Sequence, residues 1–238
     1  MALPTNITPT YTLTIPSTKK EYKYRPFLVK DEKALLVAQQ SEDQGVILDA
    51  IRELIAVCAK SPIDVTQLTY FDIEYMFIKL RSVSVGEVAE IMFSCDVDHG
   101  ADAKPCKAAV QLDKVYVDFP ENHNTNIKLF NDVGIVLKYP SPDTLKKMSQ
   151  LDSNNLESVI DVVIDCIDYI YNTDEVFKKD DHTHGELVEF LGNLKSDQFA
   201  QIEQFFGTMP QSKIDVEYIC PVCQLHHKKV IGGLNSFF

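Results

Sequence analysis

The sequence lacks both a long apolar run and an excess of basic charge. No window approaches the ~18 uncharged apolar residues that a membrane-spanning helix needs, so we expect no membrane segment. Acidic residues number 35 against 23 lysines and arginines, which gives a formal net charge of −12. Because such a surface repels phosphate backbones, we expect no nucleic-acid partner. The opening residues, MALPTNITPTYTLTIP, have neither the basic head nor the apolar stretch of a secretion signal, so we expect the protein to stay where it is made.

The short motifs of the common enzyme classes are also missing. The sequence contains no P-loop, no dinucleotide fingerprint, no GxSxG and no HExxH. No local pattern pairs a cysteine with a histidine that would activate it as a nucleophile. The residues therefore predict no catalytic site, and we expect a protein that is not an enzyme.

The 238 residues are 45% hydrophobic, which is enough for a substantial core. The polarity pattern changes period several times along the chain and predicts an α+β fold with antiparallel strands. The predicted segments are an N-terminal β-hairpin (1–29), a helical region (30–86), a central antiparallel β region (87–140), a C-terminal helical region (141–212), and a final β-hairpin with a CxxC motif and an aromatic tail (213–238).

Two local patterns within the helical regions make specific predictions. Thr69 precedes an aromatic-rich helix and has Asp72 three residues later, which is the spacing of a capping box. The stretch LESVIDVVIDCIDYIY carries apolar residues at helical spacing from Ile160 to Tyr171. It predicts one long helix that packs against a core.

Six cysteines occur, and two of them lie on apolar faces of predicted helices. Cys58 and Cys166 are therefore expected to be buried small hydrophobes. A protein of this size that is not secreted has no need of disulfides. The other four cysteines form two pairs.

Both pairs fall at the tips of predicted β-hairpins. Cys220 and Cys223 form a CxxC knuckle between the strands DVEYI and HHKKVI, and Cys95 and Cys106 bracket a loop between two strands. Two thiolates from each of two hairpins can complete the tetrahedral coordination that Zn²⁺ accepts, as in a zinc ribbon. We therefore predict that Cys95, Cys106, Cys220 and Cys223 hold one structural Zn²⁺.

Other interpretations of the CxxC knuckle stay open. His226 or His227 could join the two knuckle cysteines, with Cys95 or Cys106 as the fourth ligand. The knuckle could also be metal-free, with reduced thiols. A thioredoxin-like dithiol is disfavoured, because that motif begins a helix and this one lies between strands.

A second histidine pattern, DDHTHGE, holds His182 and His184 beside Asp180 and Asp181. These residue types can bind a metal, but the pattern lies just before a predicted helix. Thr183 is a good N-cap for that helix. We favour the capping interpretation.

Several segments together resemble the T-even-type bacteriophage baseplate hub subunit and hub assembly protein family. The segments are PTYTLTIPST with YKYRPFLVKDEKALL, the SVGE at 84–87, NIKLFNDVGIVLKYPSP, and CPVC followed by GLNSFF. They occur in order from Pro9 to Phe238, so the resemblance covers essentially the whole chain. One departure is the ten-residue insert between Cys95 and Cys106, which is longer than a typical knuckle.

The resemblance implies a non-enzymatic structural or assembly protein of the baseplate hub of a contractile-tailed phage. It implies other phage hub and tail proteins as partners, the virion tail baseplate as location, and the host cytoplasm as the place of assembly. Phe237 and Phe238 in the aromatic tail are candidate partner contacts, although they could instead fold onto their own core. The alternative function is a zinc-dependent hydrolase that acts on cell-wall material through the HxH pattern.

Overall fold

A computed structural model describes residues 7–40, 43–100, 103–149 and 156–233 of the chain. The strands within those residues are β1 Tyr11–Thr14, β2 Glu21–Tyr24, β3 Val88–Phe93, β4 Cys106–Gln111, β5 Tyr116–Asp118, β6 Asn126–Phe130, β7 Val133–Leu137, β8 Ile167–Tyr171, β9 Val176–Lys178, β10 Gln211–Ile219 and β11 His226–Gly232. The α-helices are α1 Val29–Gln40, α2 Gln44–Cys58, α3 Tyr70–Ser84, α4 Pro142–Ser149, α5 Leu156–Cys166, α6 His184–Gly192 and α7 Ser196–Gly207. This mixture of helices and antiparallel strands confirms the predicted α+β fold.

The chain divides into two compact units. The first unit comprises the described residues up to Asp118 and those from Gln211 onward, and the second runs from Phe119 to Pro210. The first unit therefore joins two distant parts of the sequence. This matters for the site below, because the two cysteine pairs come from those two parts.

Three small antiparallel sheets occur among the described residues of the first unit. Strands β1 and β2 form the predicted N-terminal hairpin, β3 pairs with β4, and β10 lies between β11 and β5. The residues of β4 and β10 alternate between buried and exposed, as expected for sheets with one face on a core. Their buried side chains share one apolar cluster with Ile78 of α3.

The predicted capping box at the start of α3 is confirmed. The Asp72 backbone N–H donates to Thr69 Oγ1, and the Asp72 carboxylate accepts from the Thr69 backbone N–H. That carboxylate is fully buried and also accepts from Ser17, through the backbone N–H at 2.9 Å and the hydroxyl at 2.5 Å. The box therefore links the helix to the turn of the N-terminal hairpin, which the sequence did not predict.

The second unit contains a four-stranded antiparallel meander in the order β6-β7-β8-β9. Helices α5, α6 and α7 contribute buried residues to the same apolar core as this sheet. Ile135, Ile167 and Ile202 are fully buried there. One continuous core thus supports both the sheet and the helices of this unit.

The predicted long helix is wrong beyond Cys166. Helix α5 ends there, and residues Ile167–Tyr171 form strand β8 between β7 and β9. The stretch IDYIY is rich in β-branched and aromatic residues, which favour strands. Hydrogen bonds to the two neighbouring strands make this segment a strand rather than a helix. The helical spacing of its apolar residues carries no information about those bonds.

The helices among the described residues are too short or too polar to cross a membrane. The aromatic tail, residues 234–238, lies outside the described part of the chain. Cys58 and Cys166 are both fully buried, which confirms their predicted role as small hydrophobes.

Candidate metal centre

Two hairpin connections of the first unit carry the cysteine pairs. The β3–β4 ladder ends at the pair Phe93 and Cys106, so residues 94–105 connect the two strands. The β10–β11 ladder is closed by residues 220–225. Strands β4 and β10 pack in one apolar cluster, which brings these connections to the same part of the unit.

The CxxC knuckle is a tight, hydrogen-bonded turn. The Cys220 N–H donates to the Leu225 carbonyl at 3.0 Å, and the Gln224 N–H donates to the Cys220 carbonyl at 3.0 Å. Gln224 has a left-handed φ of 62°, which lets the chain reverse into β11. The Val222 N–H points at the Cys220 sulfur at 3.4 Å. The turn therefore fixes the direction of this thiol.

The same local arrangement occurs at Cys95. The Val97 N–H points at the Cys95 sulfur at 3.4 Å, again two residues further along the chain. Gly100, with a left-handed φ of 53°, then turns the chain just after His99. Each connection thus offers a cysteine sulfur held by a backbone amide, which is the local geometry of a metal-binding loop.

Four side chains converge from the two connections: Cys95, His99, Cys220 and Cys223, here called the Cys/His cluster. Their ligand atoms all lie within 4.8 Å of one another. The sulfurs of Cys95 and Cys223 are 3.8 Å apart, and His99 Nε2 is 3.4 Å from the Cys220 sulfur. Tetrahedral bonds of about 2.3 Å to sulfur and about 2.0 Å to nitrogen separate S–S pairs by about 3.8 Å and S–N pairs by about 3.5 Å. The spacing suits one small tetrahedral ion.

Three of the four predicted metal ligands belong to this cluster. The fourth, Cys106, is the first residue of β4 and is fully buried in the apolar core that also contains Cys220. Burial raises the pKa of its thiol, and the neighbouring Cys220 thiol raises it further. Cys106 is not a member of the mutually close group.

His99 takes a place that the sequence did not assign to it. In the sequence it lies in the loop between Cys95 and Cys106, beside the turn-forming residues Asp98 and Gly100. A usable signal was its position four residues after Cys95, a spacing at which a short loop can fold back on itself. The choice between His99 and Cys106 depends on how that loop folds.

His227 lies beside the cluster and is held on both sides. Its Nδ1 is 3.0 Å from the Asp96 carboxylate, and its Nε2 is 3.3 Å from the Cys95 sulfur. The ring is 5% exposed and stacks on Tyr218 with a centroid distance of 4.9 Å. Lys229 donates to the other Asp96 oxygen at 2.9 Å. Asp96 and His227 together orient the Cys95 side chain.

His226, the alternative to His227, points the other way. Successive residues of a strand face opposite sides of the sheet. His226 is therefore exposed, 3.5 Å from Glu217 on the neighbouring strand. Only His227 of these two histidines lies next to the Cys/His cluster.

The thiols of the cluster differ in acidity. The backbone N–H of Cys223, with help from that of Val222, lowers the pKa of Cys220 to about 6 despite desolvation. Desolvation, together with the neighbouring Cys220 and Cys223, raises the pKa of Cys95 to about 11. One thiolate therefore forms readily, whereas a second thiolate so close by is disfavoured unless a cation offsets the charge.

The HxH pattern is arranged quite differently. His184 Nε2 is 3.1 Å from an Asp161 oxygen, whereas His182 Nδ1 is 4.0 Å from a Glu186 oxygen. Thr183 caps α6 in a capping box with Glu186, as the capping interpretation predicted. The two histidines thus have separate carboxylate neighbours, and the Cys/His cluster is the one group of this kind found among the described residues.

A compact fold with a thiol-rich cluster between two hairpin loops is typical of proteins that use a metal for structure, since structural zinc sites are closed by four protein ligands. Comparison of the whole sequence with known families identifies the particular family. The model of the T4 bacteriophage base plate protein family matches residues 8–238, so the chain belongs to that family and is a phage baseplate protein. No curated protein matches the sequence significantly. No solved structure does so either.

Proposed function

We propose that this protein is a non-enzymatic component of the baseplate hub of a contractile-tailed phage and acts in the structure or assembly of that hub. The observation that carries the proposal is the family match over residues 8–238. The hub, rather than another part of the baseplate, is suggested by the segments of the sequence that resemble hub subunits and hub assembly proteins. Its partners are then other hub and tail proteins, which it meets in the host cytoplasm during assembly.

The Cys/His cluster serves this role as a structural metal centre that holds one Zn²⁺. Thiolate ligands suit Zn²⁺, which has no redox chemistry of its own. Cysteine thiols stay reduced in a host cytoplasm, so the ligands are available there. The role of the metal is to hold together two hairpin loops that the protein needs for its contacts.

The hydrolase alternative has weaker support. A catalytic zinc site keeps an open position for water beside three protein ligands. His182 and His184, on which that alternative depends, point to Glu186 and Asp161 separately. The contacts of these residues instead favour a helix cap and a surface ion pair.

The test is a phage in which a nonsense codon interrupts this gene, grown in a host without a suppressor. We expect heads and tail parts to accumulate, few complete baseplates to form, and complementation from a plasmid to restore them. Electron microscopy of lysates and a count of infectious particles measure this. Normal numbers of infectious particles would refute the role. Complete baseplates in particles that fail only to hydrolyse cell-wall material would point to the enzymatic alternative.

A further inference from the structure

We infer that the Cys/His cluster binds Zn²⁺ through three sulfurs and one nitrogen, with His99 as the fourth ligand and Cys106 outside the coordination sphere. The inference rests on the proposal that the cluster holds a structural zinc ion. The sequence predicts four cysteine ligands, two from each hairpin. The inferred set contains three cysteines and one histidine (Cys₃His). The ligands are Cys95 Sγ, His99 Nε2, Cys220 Sγ and Cys223 Sγ.

The distances support this set. His99 Nε2 approaches the Cys220 sulfur to 3.4 Å, and the Cys95 and Cys223 sulfurs lie 3.8 Å apart. Both values are close to the edges of a tetrahedron with zinc bonds of about 2.3 Å to sulfur and about 2.0 Å to nitrogen. The four ligand atoms are also mutually close, within 4.8 Å for every pair. One ion placed among these four atoms could therefore bind them all.

Cys106 adjoins Cys220 but is not one of the four residues whose ligand atoms are mutually close. It pairs with Phe93 in the β3–β4 ladder, and its side chain is fully buried in the apolar cluster of the first unit. Cys95, two residues beyond Phe93, has already left the ladder and is free to turn toward the CxxC knuckle. The thiol of Cys106 therefore packs behind Cys220 as part of the core.

His227 is a positioning residue rather than a ligand. Its ring nitrogens are not among the mutually close ligand atoms of the cluster, and instead Nδ1 contacts Asp96 while Nε2 contacts the Cys95 sulfur alone. Its hydrogen bond aims that sulfur into the cluster, as residues surrounding metal sites commonly do for the ligands. Asp96, which also accepts a hydrogen bond from Lys229, contacts the histidine ring on the side away from Cys95.

A Cys₃His site has a consequence for the connection between β3 and β4. Cys95 and His99 lie in the same loop, so the ion closes that loop on itself as well as joining it to the CxxC knuckle. With Cys106 as the ligand instead, the ion would hold the connection only at its two ends, Cys95 and Cys106, and would not bind His99. Zinc binding is thus expected to order the part of the loop around His99 (96–100).

The first test needs no variant. The full-length protein is purified under reducing conditions, loaded with Zn²⁺ and measured by zinc X-ray absorption. We expect about one zinc per chain, three sulfurs at about 2.3 Å and one nitrogen at about 2.0 Å. Four sulfurs at a single distance would overturn the inference but leave the structural zinc proposal standing. Absence of bound Zn²⁺ would overturn both, and it would not affect the proposed role in the hub.

The second test compares two variants by chelator competition for Zn²⁺. Removal of a residue that only supports a ligand costs about 10- to 100-fold in metal affinity, so loss of a ligand should cost more than about 100-fold in His99→Ala. Cys106→Ala should change the affinity less than about tenfold. His226→Ala, which removes an exposed histidine of the same hairpin, is the matched control and should change nothing. Retention of affinity in His99→Ala with loss in Cys106→Ala would assign the fourth position to Cys106.

Discussion

The two units of this protein support their β-strands in different ways. In the second unit, four strands form one sheet, and three helices pack their apolar residues into the same core as that sheet. In the first unit, the strands are divided among three sheets of two or three strands each. Two-stranded hairpins are marginal by themselves and need packing against another element.

The Cys/His cluster occurs where the first unit needs an additional connection. It joins the loop after β3 to the CxxC knuckle after β10, at the ends of the ladders where pairing stops. The second unit has no equivalent group among its described residues, and its core contains Ile135, Ile167 and Ile202 without any exposure. If the cluster binds zinc as proposed, a metal cross-link adds to the apolar packing of the small sheets in the first unit, and the comparison predicts that each unit responds to a different perturbation.

The largest expected effect is loss of the metal from the first unit. Cys223→Ser removes an exposed thiol, so it leaves no void, and it should release zinc. Binding of structural zinc is worth about 10–16 kcal/mol in small zinc-finger peptides, so we expect local stability to fall by roughly 3 kcal/mol or more. Hydrogen exchange should accelerate in β3, β4, β10 and β11 and stay slow in β6 to β8.

The control for that experiment is His182→Ala with His184→Ala, which should retain the metal and leave hydrogen exchange unchanged in the first unit. If Cys223→Ser loses zinc while the four strands keep their protection, the packing of β4 and β10 is sufficient and the metal is dispensable for stability.

The reverse perturbation is Ile202→Ala in the second unit. This side chain is fully buried in the core that the sheet shares with α7. Deletion of its buried methyl and methylene groups should lower the free energy of unfolding of this unit by about 2–5 kcal/mol, while zinc content stays the same. Urea unfolding and elemental analysis measure the two quantities. Gln201→Ala on the exposed side of the same helix is the control, and zinc loss from the Ile202 variant would contradict the separation of the two units.

Matched capping boxes sharpen the comparison further. Asp72 in the first unit is fully buried and accepts hydrogen bonds from Ser17 and Thr69, whereas Glu186 in the second unit is exposed and accepts from Thr183. Asp72→Ala leaves partly buried donors of Ser17 and Thr69 without a partner, so it should cost about 2–3 kcal/mol. Glu186→Ala removes the carboxylate from a cap that already faces water. The lost hydrogen bonds can be replaced by water, so the substitution should cost less than about 1 kcal/mol. Equal losses in thermal unfolding would show that burial of the box is unimportant.

The smallest effect concerns pH and the second unit. His123 packs between Tyr139 and Phe205, and desolvation lowers its pKa below the ordinary value of about 6.5. The folded unit therefore holds this ring neutral, while the unfolded chain takes up a proton as the pH falls. The contribution of His123 to stability is complete above about pH 6.5 and is lost as the pH falls toward the lowered value in the folded state.

Urea unfolding at about pH 7.5 and about pH 5.5 measures that contribution as a difference in stability. The difference should shrink in His123→Gln, which cannot titrate, and should persist in His184→Gln, which alters an exposed histidine of the same unit. An unchanged difference in the His123 variant would assign the acid sensitivity to other groups.

Much of the local structure could be predicted from short patterns. The alternating strands of the N-terminal hairpin, the capping boxes at Thr69 and Thr183, and the burial of Cys58 and Cys166 all follow from the pattern of residues within a few positions. The end of α5 could not be predicted in this way. Strand β8 exists because β7 and β9 supply its ladder partners, and β9 begins only after a further turn.

The amino-acid sequence by itself determined the α+β class, the hairpins and the chemistry of the site, because polarity period, turn residues and ligand types are local properties. It placed Cys95, Cys220 and Cys223 among the candidate ligands for the same reason. Tertiary structure alone decided that His99 rather than Cys106 completes the group of mutually close ligand atoms. Strand β4 fixes Cys106 within a buried ladder, whereas the loop after Cys95 turns at Gly100 and brings His99 back to the CxxC knuckle. That choice depends on how two distant parts of the chain pack together. The spacing of residues within either part does not predict it.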